Sequence, residues 1–258
     1  MKSITLYSEK NTPIHLLQPM TKALYTMVAI LAPLLFGSWR ISLAVILLNV
    51  LVLSAGQVLR KTAPLVGLSL VILISVVIIQ GMFRQGNNES LFSLGVITFY
   101  REGTRYAVGI VLNVINIILS FSILILTTKP SDLVEAFVRA GLPPKLGYVL
   151  GSVFQIVPQM SESMKAITDA QRSRGMETEG KLLTRVKAFF PLISPVVMNS
   201  LITTKERAIA LEVRGFSATG SRTFLSEPKR RSLDKIIKIA LLVVLAGAVA
   251  WRTRLWLI

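Results

Sequence analysis

Leu65-Val-Gly-Leu-Ser-Leu-Val-Ile-Leu-Ile-Ser-Val-Val-Ile-Ile-Gln-Gly-Met-Phe83 is a run of nineteen residues with no charged side chain. At ~1.5 Å rise per residue it matches the ~30 Å hydrocarbon core of a bilayer, which a helix of roughly 17–25 apolar residues crosses. Ala107–Leu126 is a second run of this kind; Ala23–Trp39 and Ile41–Leu59 are two more, separated only by Arg40. Those last two read either as a helical hairpin or as two partly inserted helices. Ile239–Trp251 is shorter, and reaches spanning length once Ile236 and Ile237 are counted and Lys238 extends its ammonium to the headgroups. The chain is therefore expected to be an all-α integral membrane protein, multi-pass, with about five transmembrane helices.

Composition points the same way. Of the 258 residues, 52% are hydrophobic and the mean hydropathy is +0.63. The first apolar run has no small-x-small cleavage site before a soluble mature chain, so it reads as a span and not as a removed signal. The absence of cysteine removes disulfides, thiolate metal ligands and cysteine nucleophiles together. Net charge is +16, and residues 128–235 hold 17 Lys and Arg against 10 Asp and Glu. By the positive-inside rule, Lys2, Lys10, Lys22, Arg60, Lys61 and the 128–235 block share one side, the cytoplasm. Arg84, Arg101, Arg105, Arg252 and Arg254 then stand outside, against the rule. Topology accounts for the basicity, and the basic block lacks interleaved aromatics, so no nucleic-acid partner is expected.

Four regions follow: a cytoplasmic strap at 1–22 with Pro13 and Pro19, a four-helix membrane region at 23–127, a cytoplasmic block at 128–233, and a final transmembrane helix at 234–258. Gln85–Glu89 reads as a turn-rich loop and Thr98–Arg105 as a short interfacial piece. In the cytoplasmic block Pro130, Ser131, Asp132 and Glu135 are helix-start signals, and the short helix they open stops at Gly141-Leu-Pro-Pro144. Two long helical patterns come next, Lys145–Arg174 and Lys181–Arg214, broken apart by Gly175–Gly180. Pro158, Pro191 and Pro195 are expected to kink or interrupt them. Ser217–Arg231 is a basic linker.

Both long patterns end alike: Ala170-Gln-Arg-Ser-Arg174-Gly175 and Ala210-Leu-Glu-Val-Arg214-Gly215. One such ending is explained by capping, since Arg complements the helix dipole and Gly takes the left-handed terminal position. Two of them, each with Ala four residues before the Arg, suggest more. A slim tip enters a groove, and a guanidinium beyond it forks onto a carboxylate. They read as two helical plugs for a partner with two similar sockets. Between them Gly175-Met-Glu-Thr-Glu-Gly180-Lys181 imitates a phosphate-binding loop, but Leu182 lacks the magnesium-holding hydroxyl and a helix, not a strand, precedes it. Any ATP-driven work thus requires a partner. His15 is the sole histidine, and the scattered carboxylates interleave with bases. Asn113, Asn116 and Ser120 share a face of the fourth span and read as interhelical hydrogen-bonding groups in preference to a contact face for another membrane subunit.

With these residues in hand, the chain resembles the transmembrane T component of energy-coupling factor (ECF) transporters, bacterial micronutrient importers of the ATP-binding-cassette (ABC) class. In that family two Ala-Arg-Gly-like signatures end coupling helices that dock on a pair of cytoplasmic ATPases. Here they read Ser173-Arg174-Gly175 and Val213-Arg214-Gly215, with Ser173 and Val213 in place of Ala. Ile14-His15-Leu-Leu-Gln18-Pro19-Met-Thr21-Lys22 resembles the family's His-x-Leu-Asp-Pro-x-Thr-Lys strap, with Gln18 where Asp is usual. Thr127-Thr128-Lys-Pro130, Leu133, Ala136 and Gly141-Leu142-Pro143 resemble the join behind the fourth span. The resemblance implies a non-enzymatic scaffold in the bacterial cell membrane, with long cytoplasmic coupling helices and no cofactor or metal of its own. Its implied partners are two ABC ATPase subunits and a small hydrophobic substrate-binding (S) subunit that delivers a vitamin or metal ion. Ala170, Ser173, Arg174, Gly175, Ala210, Val213, Arg214 and Gly215 are the implied ATPase-docking residues. The alternatives are a self-contained secondary transporter, which lacks the intramembrane charge it needs in the first four spans, or an ordinary ABC importer permease.

Overall fold

The computed structural model describes residues 7–8, 10, 12–86, 89–94, 97–176, 182–218 and 232–257. Among them are α1 Pro19–Phe36, α2 Trp39–Ala55, α3 Leu59–Phe83, β1 Ser90–Leu94, β2 Ile97–Tyr100, α4 Arg101–Thr127, α5 Pro130–Arg139, α6 Pro144–Ser173, α7 Leu182–Val213 and α8 Ser232–Leu257. Two compact units result, Met1–Gly141 with Pro228–Ile258, and Leu142–Glu227. The first unit thus takes in α5, which packs against α1.

In the first unit the helices alternate in direction. Lys22 Nζ donates to the Thr127 carbonyl (2.8 Å) and Asn116 Nδ2 to the Ala29 carbonyl (2.7 Å), which makes α1 and α4 antiparallel. α8 runs beside α1 in the same direction. Asp234 in its first turn meets Gln18 and Thr21, and the Trp251 ring lies 6.3 Å from that of Phe36. By length and apolarity α1, α3 and α4 can each cross a bilayer, whereas α2, at 17 residues, is shorter. α8 keeps pace with α1 from end to end. Its charges are confined to the two ends, with Asp234, Lys235 and Lys238 at one and Arg252 and Arg254 at the other.

The break between α1 and α2 falls at Gly37–Ser38 and not at Arg40. Gly37, at φ 63°, takes the left-handed cap and its N–H donates to the Pro33 carbonyl (3.0 Å). A charge by itself does not end a helix, and Arg40 sits inside α2 with its guanidinium 5.8 Å from the Trp39 ring. The Thr98–Arg105 piece is also different from expectation. It is strand β2 followed by the start of α4, and β1 pairs antiparallel with β2. Phe99 packs so tightly on α3 that a Cβ at Gly81 would come within 2.7 Å of its ring.

Leu53, Val58, Leu119, Ile123 and Leu126 form the core. α3 is the most apolar of the three span-length helices and the least buried; α1 is the least apolar and the most buried. On α3, Leu68, Val71 and Ile72 are 74%, 68% and 67% exposed. A bundle that turns its most apolar surface outward is built for hydrocarbon.

The second unit is the α6–α7 pair. Pro158 lies within α6, and Pro191 and Pro195 within α7, yet neither helix is interrupted. Each proline deletes one backbone hydrogen bond, and Leu192 and Val196, which follow the two in α7, are buried. Residues 177–181 of the phosphate-loop imitation, 219–231 of the linker and 1–6 of the strap lie outside the described residues.

Candidate functional site

The two Arg-Gly endings adopt one geometry. At the end of α6 the Gly175 N–H donates to the Arg172 carbonyl (2.9 Å) and the Met176 N–H to that of Gln171 (3.1 Å). At the end of α7 the Gly215 N–H donates to the Glu212 carbonyl (2.9 Å) and the Phe216 N–H to that of Leu211 (2.9 Å). These are two Schellman caps in the same register, with Gly175 and Gly215 left-handed at φ 87° and 72°. The capping explanation of the motif is therefore correct for the backbone. It leaves the side chains free for another task.

Arg174 and Arg214 are exposed, and among the described residues neither guanidinium makes a hydrogen bond or ion pair. Ala170 and Ala210 are exposed one turn back. Val213 is 83% exposed, an apolar side chain left bare beside a bare cation. Ser173 is exposed too, its hydroxyl donating to the Asp169 carbonyl within its own helix (3.1 Å). Phe216, just past the second cap, packs against Tyr148 of α6 with centroids 5.2 Å apart and ring planes inclined by 57°, and ties that tip to its own unit.

α6 and α7 cross antiparallel. Arg207 donates to Gln159 (2.8 Å) and Gln155 (3.5 Å), and Ile156, Gln159 and Ser163 face Arg207, Thr203 and Asn199 across a small polar gap. The α6 tip lies about fourteen residues beyond this crossing and the α7 tip about ten beyond it on the other arm, roughly 20 Å and 15 Å at 1.5 Å per residue. The two arginines thus occupy opposite arms of one crossed pair.

The strap and the helix ends it meets form a second polar assembly. Ser8 N–H donates to the Leu126 carbonyl (3.0 Å) and Lys22 Nζ to that of Thr127 (2.8 Å), so two carbonyls left open at the end of α4 are satisfied by the strap side. Lys10 Nζ caps the Gln57 carbonyl (2.8 Å) in the α2–α3 turn. At the start of α1, Asp234 Oδ1 accepts from the Gln18 N–H (3.1 Å) and the Thr21 hydroxyl (3.3 Å), while Lys238 donates to Gln18 Oε1 (2.9 Å). A carboxylate at the positive end of α1 is thereby supplied from α8, opposite the place where Gln18 replaces the Asp of the strap pattern. Sequence reasoning missed Asp234. The signal was present in the missing acid at 18.

His15 is structural. Its Nε2–H donates to the Ser8 carbonyl (2.9 Å), which sets the tautomer of the neutral ring, with Nδ1 accepting from the Thr12 hydroxyl (2.7 Å). Burial holds its pKa below the usual 6.5, Lys22 and Lys10 push it further down, and the Ser8 bond opposes them.

The polar face of α4 points inward. Asn49 of α2 is fully buried; its Nδ2 donates to Asn116 Oδ1 (2.8 Å) and Ser120 Oγ (2.9 Å), and its Oδ1 accepts from the Tyr25 hydroxyl (2.6 Å). Asn116 donates on to the Ala29 carbonyl, and Asn113 accepts from Ser42 Oγ (3.3 Å). These groups join α1, α2 and α4, as the interhelical expectation held.

Residues 10–224 match the family model CbiQ, Cobalt transport protein. The chain is 28% identical over 262 residues to the energy-coupling factor transporter transmembrane protein EcfT of Lactococcus lactis subsp. cremoris (strain MG1363), covering 95% of this chain and 96% of that one. To the protein of that name from Streptococcus equi subsp. equi (strain 4047) it is 29% identical over 253 residues, 93% and 90% of the two chains. To that of Acidaminococcus fermentans it is 30% identical over 268 residues, 95% and 97%. Likeness over nearly the full length, on a bundle whose outer face suits hydrocarbon, fixes the class: the chain belongs to the CbiQ family, as an EcfT-like transmembrane (T) component of the energy-coupling factor kind.

Proposed function

We propose that this chain is the energy-coupling subunit of an ECF-type ABC importer, and that two cytoplasmic ATPases seat on the tips of α6 and α7. The observation that carries this reading is the pair of superimposable caps, each presenting an unengaged arginine beside small or bare side chains, on opposite arms of one crossing. A partner with two equivalent acidic grooves is the complement of such a pair. Approach and separation of the ATPases on ATP binding and hydrolysis would then work the crossed helices. The motion passes to a substrate-binding membrane subunit, which delivers a vitamin or metal ion across the cell membrane with α6 and α7 on the cytoplasmic side.

The test is co-purification in mild detergent from the native membrane. Wild-type chain is expected to bring down two ATPase subunits and a small hydrophobic protein. The Arg174→Glu/Arg214→Glu double variant is expected to insert normally and lose the ATPases, because a carboxylate meets a carboxylate in each groove. Full ATPase recovery with the double variant would sink the docking assignment.

A further inference from the structure

The end of the bundle opposite the strap carries arginines that topology does not explain, and three of them, Arg84, Arg101 and Arg105, line a cleft. About 980 Å³ in volume, it opens between the α1–α2 turn, the hairpin and the start of α4. That lies at the upper end of the range of small-molecule sites. Its inner wall is apolar, with Pro33, Leu34, Val108 and Ile110, and its floor ends at the Ser42–Asn113 hydrogen bond. Its rim is basic. Arg101 is held by Glu89 at 3.0 Å. Arg84 lies 3.8 Å from the centroid of the Tyr106 ring and donates one N–H to the Glu102 carbonyl (3.4 Å), which leaves further donors on its fork. Arg105 is exposed, and among the described residues it makes no hydrogen bond or ion pair. Trp39 and Tyr106, 54% and 47% exposed, stand at the mouth, and Trp251 marks the same level on α8. Aromatic side chains with one apolar and one polar end collect at headgroup depth.

A cleft with an apolar wall, a guanidinium rim and an aromatic mouth at headgroup depth has the chemistry of a phospholipid seat. We propose that it binds one anionic phospholipid from the leaflet opposite the strap. The phosphodiester sits between Arg84 and Arg105, and the start of one acyl chain lies along Leu34 and Ile110. Arginine suits this task because its fork bonds two phosphate oxygens at once. The seat also accounts for Arg84 and Arg105 on the side where the positive-inside rule disfavours them: both face a fixed anion. The proposal is independent of ATPase docking, which concerns the other unit.

Native mass spectrometry of the full chain in mild detergent, titrated with phosphatidylglycerol or phosphatidylcholine, reads occupancy directly. The expected result is one phosphatidylglycerol retained at concentrations where phosphatidylcholine is not. Arg84→Gln/Arg105→Gln should weaken it at least about tenfold, the scale of losing charge-assisted phosphate bonds. Arg252→Gln/Arg254→Gln, at the same end but outside the cleft, should leave it unchanged. Gly109→Phe keeps every arginine and fills the cleft from a position where an added Cβ meets nothing within 4 Å, so it should fold and lose the lipid. Equal retention of the two lipids, equal loss in the Arg252/Arg254 pair, or full binding by Gly109→Phe would each overturn the seat. Saturable displacement by glycerol phosphate alone, with no dependence on acyl chains, would assign the rim to a free phosphate ester and overturn the lipid.

Discussion

Asn49 is the residue on which the membrane bundle should depend most for its polar interior. Replacing it by Ala removes three hydrogen bonds at once and leaves Tyr25 Oη, Asn116 Oδ1 and Ser120 Oγ without that partner in a site closed to solvent. Interhelical hydrogen bonds in membranes average ~0.6 kcal/mol, so three amount to about 2 kcal/mol, with a ceiling near 5 if each is as strong as the best measured. The small void left by the amide adds roughly 0.5–1 kcal/mol. Asn113, only half-buried and bonded once at 3.3 Å, gives an internal control expected at about 0.5 kcal/mol or less. The assay is reversible SDS unfolding in mixed micelles, followed by tryptophan fluorescence. A double-mutant cycle between Asn49→Ala and Asn116→Ala should return a coupling of roughly 0.6–1.7 kcal/mol. If Asn49→Ala and Asn113→Ala shift the midpoint equally, or if the cycle closes at zero, the network does not bind the helices together and the reasoning fails.

The other predictions concern the strap and the caps. Asp234→Ala removes two bonds to a carboxylate at the α1 N-terminus and should destabilise the bundle by about 2–4 kcal/mol. Adding Gln18→Asp, which restores an acid from the strap side, should recover part of that loss in the same unfolding assay. Because the folded-state pKa of His15 is depressed below 6.5, the unfolded strap takes up the proton first. The strap's stabilisation is then complete above that pH and falls as pH drops through the lowered value. Amide exchange at residues 12–17, corrected for its intrinsic rate, should accelerate as pH falls below about 6.5, and His15→Gln should flatten the response. Gly175→Ala and Gly215→Ala force a Cβ into left-handed backbone and should each destabilise a tip by about 1 kcal/mol, seen as faster exchange in the last turn of α6 or α7 alone. Exchange that spreads through the whole helix would show that the caps are not local.

The spans and the tips were legible because each is written in consecutive residues. An uncharged run such as Leu65–Phe83 has one low-energy solvent, and an Arg-Gly pair after a helical pattern specifies its own cap. What sequence missed depends on pairings across the chain. Lys22 reads as a loop charge, yet it is buried, satisfying the end of a helix 105 positions away. Arg40 looked like the break between two spans, but the backbone turns where Gly37 permits it. The hairpin at 90–100 is too short for its alternation to register. Asn113 and Asn116 looked equivalent by spacing, and only burial separates them.

Asp234 completes a helix that begins 216 residues earlier. On a ribosome α1 is made well before α8, so α1 stays unfinished at its leading end until α8 has emerged. A message cut short before α8 would yield a product with its apolar stretches intact and its first turn open. The contact between α1 and α8 therefore ties the closing of an early helix to the synthesis of a late one.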